Sequence, residues 1–111
     1  MTFSEFLRAY YLHDSLFEKV VHENDEVDLS IDFCFWMQDG YREEDPETGI
    51  IHLHIPNVTS FTGPTGDIEG YSILEADCTD DCLSLLIMDD FNNKSYEMKI
   101  VSPSGKIVVK F

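Results

Sequence analysis

Residues 27–36, VDLSIDFCFW, alternate without a break: Val27, Leu29, Ile31, Phe33 and Phe35 are apolar, and Asp28, Ser30, Asp32, Cys34 and Trp36 fall between them. Successive side chains of an extended chain point to opposite faces, so this spacing puts one set on each side of a strand. The apolar side then has to lie against a core while the polar side meets water. No other segment constrains the fold as tightly.

The neighbouring segments extend the pattern. LFEKVVHE precedes the alternating stretch and pairs with it as a hairpin through NDE. IIHLHIP is a second alternating strand, with Ile51, Leu53 and Ile55 opposite His52 and His54. YSILEADC, CLSLLIMD, SYEMKIV and KIVVKF then read as a meander, with turns at TDD, DFNNK and SPSG. CLSLLIMD is apolar on both faces, which predicts a central strand covered on both sides. The charged QDGYREEDPETG and the glycine-rich FTGPTGDIEG read as exposed connections. Ahead of them all, Phe3, Phe6, Leu7 and Tyr10 fall at helical spacing, with Thr2 or Ser4 as the N-cap. The expectation is one α+β domain over residues 1–111, mainly antiparallel β, with about seven short strands and one N-terminal helix. A curled sheet, a half-barrel and a two-sheet sandwich all satisfy the pattern.

Charge narrows the function. Twenty-two acidic residues stand against seven basic ones, a formal net charge of -15. Nucleic-acid phosphates and anionic membrane surfaces are bound by clustered Lys and Arg, so neither is expected as a partner. Basic proteins and metal cations are what such a surface attracts. No segment approaches the roughly 20 apolar residues that span a bilayer, and MTFSEFLRAYY lacks the apolar run of a secretory signal. Cys34, Cys78 and Cys82 are an odd number and make no disulfide framework. A reducing cytoplasm is the expected compartment.

Four constellations bear on chemistry. His13, Asp14 and Ser15 are consecutive, whereas a hydrolytic triad converges from separated segments and no G-x-S-x-G elbow is present. They read as a junction: His13 at the negative end of the helix, Asp14 and Ser15 bonding backbone N–H groups as the chain enters the first strand. His52 and His54 share a strand face at a spacing that suits two metal ligands, with His22, Cys34 or Asp32 as a third if the strands are neighbours. Cys78 and Cys82 flank TDD in a C-x3-C pattern without a second ligand pair, and DCTDDC and DDFNN lack the calcium-loop spacing. Finally, Asp28 and Asp32 share the polar face of the best-defined strand, and Glu43, Glu44, Asp45 and Glu47 crowd the loop after it. Such a cluster suits electrostatic docking to a basic protein. Trp36, beside Tyr41, is its candidate aromatic anchor.

A His-Asp-Ser start, the strand DLSIDFCFW and a β-meander together resemble small uncharacterised bacterial domains, some of them similar to immunity proteins found beside polymorphic toxins. The resemblance implies a binding role and carries over no catalytic residue. The expected function is therefore a non-catalytic, acidic protein-binding domain that needs no cofactor, neutralisation of a basic toxin being its sharpest form. The alternatives are a metal- or small-ligand-binding protein, or an enzyme, built on His52 and His54, and a structural homodimer formed through the apolar second face.

Overall fold

The computed structural model describes all 111 residues. Helix α1 (Phe3–Ala9) begins with a reciprocal cap: Thr2 Oγ1 accepts the Glu5 N–H at 3.1 Å, and Glu5 Oε1 accepts the Thr2 N–H at 2.9 Å. Two of the donors that a helix start leaves orphaned are thereby satisfied. Phe3 and Phe6 are buried, and Leu7 and Tyr10 pack at the edge of the core. Tyr10 is already extended, and the helix stops there.

The remainder is sheet. β1 (Leu16–Glu23) turns through Asn24 and Asp25 into β2 (Glu26–Cys34), with Asn24 at φ 54°, a left-handed conformation that asparagine tolerates in tight hairpins. A 3-10 turn (Phe35–Met37) and the charged loop lead to β3 (Thr48–Ile55), which pairs with β2 along its whole length. β6 (Tyr71–Cys78), β7 (Cys82–Asp89) and β8 (Lys94–Val101) form the meander, and β9 (Val108–Lys110) closes onto β3. Within the stretch read as a connection lie two further short strands: β4 (Ser60–Thr62), which adds to β8, and β5 (Gly66–Asp67), which adds to β1. Nine strands therefore replace the expected seven. Neighbouring backbones supply the ladder that residues 60–67 lack the apolar alternation to announce.

The strands form one open sheet in the order β4-β8-β7-β6-β1-β2-β3-β9. Its two halves meet at a narrow seam, where β6 pairs with β1 only at Ser72 and Leu16. Both seam strands are bulged, β1 at Glu18 and β6 at Leu74. A bulge bends its strand and sharpens the local twist. The sheet folds over along that line, and the inner faces of both halves join one core of 21 buried residues. Val27, Leu29, Ile31 and Phe33 of β2 face Leu83, Leu85 and Ile87 of β7 through this core, all at most 1% exposed. Burying each such side chain contributes about 1.5–3 kcal/mol.

Two sequence expectations are corrected here. β7 is interior, but only its Leu83–Leu85–Ile87 face is buried; Leu86 and Met88 on the other face stay partly exposed. The single helix lies on the core side, so the outer face has no second layer. Glu75 and Glu97, the strand neighbours of Leu86, frame it with their own stems instead. The alternation of β2 also ends early. Cys34 is the last strand residue and is buried like Phe33, because the Asp14 main chain lies beside it, its carbonyl 3.5 Å from the Cys34 thiol. Phe35 and Trp36 belong to the 3-10 turn.

Gly105 ties the termini of this arrangement together. It sits at φ +60°, and a Cβ there would lie 2.1 Å from the Asp80 carbonyl oxygen. Its own carbonyl accepts the Phe3 N–H at 3.1 Å, anchoring the helix start to the last turn.

Candidate functional site

The His13–Asp14–Ser15 stretch is a joint in the seam. The Asp14 N–H donates to Ile73 O, and the Ile73 N–H donates to Ser15 O, both at 2.9 Å. Ser15 is fully buried, and its Oγ accepts the Cys34 N–H at 3.1 Å. Asp14 adopts φ 65° so that the chain can enter β1. One detail differs from the sequence expectation. His13 lies four residues beyond the helix and does not cap it; its Nδ1 donates to the Leu74 carbonyl, the bulge residue of β6, at 2.8 Å. The three residues stitch β1, β2 and β6 together, and no hydroxyl is free for chemistry.

The two strand histidines are also engaged. His54 faces Asp28 across the β2–β3 ladder and donates from Nδ1 to Asp28 Oδ1 at 2.8 Å; its Nε2 lies 3.9 Å from Glu26 Oε1. His52 faces Ser30, with Nδ1 at 3.0 Å from Ser30 Oγ. A hydroxyl–imidazole pair and an imidazole–carboxylate pair thus sit side by side, but on different rings. General-base activation of a hydroxyl needs one imidazole held by both partners, and the ladder register prevents it. No group of three or more His, Cys, Asp or Glu side chains is arranged to hold a metal ion. The His22 ring lies tilted against Phe61, with 5.0 Å between ring centroids, and is not part of this face. Cys78 pairs with inward-facing Leu83, whereas Cys82 precedes Leu83 and points outward. Their Cβ vectors diverge, which no disulfide and no shared metal accommodates. Burial pushes both the Cys34 and the Cys78 thiols up, away from the reactive thiolate.

The acidic set divides in two. Asp28 belongs with His54 and Glu26. Asp32 lies four residues along β2, about 13 Å away at strand rise, flanked in the ladder by the exposed Leu16 and Ile50. It is at this end that the charged loop leaves the sheet, so Asp32 groups with Trp36, Tyr41, Glu43, Glu44, Asp45 and Glu47. Trp36 is 52% exposed. The four loop carboxylates are exposed, and none is ion-paired: the chain's ion pairs are His13–Asp14, His54 with Glu26 and Asp28, and Lys99–Glu97.

The loop is held in shape from within. The Trp36 N–H donates to Glu47 O at 3.1 Å, closing its base. The Tyr41 hydroxyl donates to Asp45 O at 3.2 Å, and Asp45 Oδ2 accepts the Arg42 N–H at 3.2 Å. Gln38 ties the loop to the segment after the helix through Tyr11 and Cys34. The edge of the Phe35 ring abuts Gly49, where a Cβ would come within 2.7 Å of it, and the ring meets Phe33 at a near-perpendicular angle with 5.2 Å between centroids. Comparison with protein-family models, curated proteins and solved structures returns no match.

Gln38 and Phe35 belong to the site without a signal in the sequence. Gln38 lies in a loop without periodicity. The alternation places Phe35 on the core face of the strand, whereas it belongs to the 3-10 turn.

Proposed function

We propose that this protein is a non-catalytic binding domain that docks a basic protein partner through the β2–β3 loop and the adjoining end of the sheet. The observation that carries this reading is the combination at that loop: a half-exposed tryptophan beside four exposed carboxylates with no basic partner in the chain, on a backbone braced by side-chain hydrogen bonds. Unpaired charge of one sign speeds encounter with a partner of the other, and an exposed aromatic ring supplies the contact that holds it. Preorganisation lowers the ordering cost of binding. A basic toxin neutralised in the cytoplasm is the specific form that the sequence resemblance suggests, and three free cysteines are compatible with a reducing compartment.

The test is capture of a partner from the source cell, its identification, and association kinetics across a salt series. The reading requires a basic partner whose association rate falls as the Debye length shrinks from ~10 Å at 0.1 M to ~3 Å at 1 M. It also requires Trp36→Ala to act mainly on dissociation. A partner that is acidic, or whose association ignores salt, removes it.

A further inference from the structure

The loop forms an open concavity of about 340 Å³. Phe35, Gln38, Asp39, Tyr41, Asp45 and Pro46 line it. We infer that this hollow receives an arginine side chain of the partner, the guanidinium lying against the aromatic wall and paired with the two carboxylates. The inference deepens the protein-binding reading and rests on it.

Four features select that ligand. The volume falls within the range of small-ligand pockets, which suits one long side chain. The carboxylates exclude an anionic occupant, and neither Asp39 nor Asp45 has a Lys or Arg of this chain as an ion-pair partner. The Asp45 Oδ2 atom is taken by the Arg42 N–H, which orients the group and leaves Oδ1 to accept. The wall is aromatic and fixed: Phe35 is wedged between Gly49, Phe33 and Phe111, and the Tyr41 hydroxyl is tied to Asp45. A planar, weakly hydrated guanidinium stacks on such rings and donates in a fork to carboxylates, whereas a compact, strongly hydrated ammonium does so poorly. Arginine is therefore favoured over lysine.

The experiment is amide NMR titration of the whole chain with acetyl-arginine-amide, acetyl-lysine-amide and the uncharged acetyl-citrulline-amide at tens of millimolar. Arginine should shift residues 35–46 in particular, lysine less, and citrulline not at all. Asp39→Asn with Asp45→Asn should weaken the arginine response by about tenfold, the scale of a partly wet charge pair, with the rest of the spectrum retained. No shift with arginine, equal shifts with citrulline, or shifts spread over the whole acidic surface would each overturn the inference. The two readings fail separately. If the captured partner binds the double variant as tightly as the native chain, the hollow is not the arginine site although docking stands. If arginine binds here while no basic partner exists, the hollow is a guanidinium site and the docking function falls.

Discussion

Gln38 and Tyr11 are joined as strand neighbours are, although one of them contributes only a side chain. Gln38 Oε1 accepts the Tyr11 N–H and Gln38 Nε2 donates to Tyr11 O, both at 2.8 Å, across 27 positions of sequence. The second Nε2 proton reaches Cys34 O at 2.9 Å. One side-chain amide thus fastens the charged loop to the segment that follows the helix and to the end of β2.

Replacing Gln38 by Leu keeps most of the volume and removes all three bonds. Water can reach the freed groups, so the cost is modest, about 0.5–1.5 kcal/mol. The local effect should be larger than the global one: hydrogen exchange at the Tyr11 amide should accelerate well beyond the change in urea midpoint. Equal protection in both proteins would show that the clasp does not hold the loop.

Ser15 behaves differently because it is buried. Ser15→Ala strands the Cys34 N–H without a partner inside the seam, which costs about 1–3 kcal/mol. Denaturant unfolding measures it. Labelling of Ser15 in the folded protein by a serine-reactive phosphonate would contradict its role as a joint.

Much of this fold is legible in the sequence because period-2 alternation marks strands that bury one face. The β2 and β3 assignments rest on that; β7 reads instead as a run apolar on both faces, and the cap of α1 as Thr2 or Ser4 ahead of a helical repeat. What escapes is settled by tertiary partners. β4 and β5 exist because β8 and β1 offer free edges, and the early end of β2 follows from the Asp14 main chain lying beside Cys34. At the site, the carboxylates and Trp36 are visible as composition. Their separation into an Asp28–His54 group and a loop group depends on cross-strand register, which alternation alone does not specify.

The β7–β8 turn carries a pH dependence. Asp89 is 2% exposed and accepts the Asn92 side-chain amide at 2.7 Å and the Phe91 and Asn92 N–H groups at 3.1 and 3.2 Å. The Asn92 side chain foremost, then the backbone donors, hold its carboxyl below the ordinary value. A depressed carboxyl contributes stability that is present above the unfolded value, ~3.9, and is lost as pH falls through the folded one. Asp89→Asn should therefore melt lower than the native chain at neutral pH, and the gap should close on acidification through that window. A gap that is constant with pH would assign the effect to packing.

The division of the acidic residues makes the binding proposal sharper than net charge does. Glu43, Glu44 and Glu47 are solvated loop charges, so reversing them to Lys should change stability by no more than about 0.5 kcal/mol. The same change should slow association with a basic partner strongly at low salt and little at high salt. Asp28 is committed to His54 at the far end of the strand. Asp28→Asn should weaken that pair, visible as a change in the His54 ring signals by NMR, while leaving the association rate within about twofold, as for removal of one distant, screened charge. Stopped-flow association of both variants with the captured partner separates the two ends of the face. If Asp28→Asn slows association as much as the triple loop reversal does, the partner reads the whole strand face, and the loop is not the docking site.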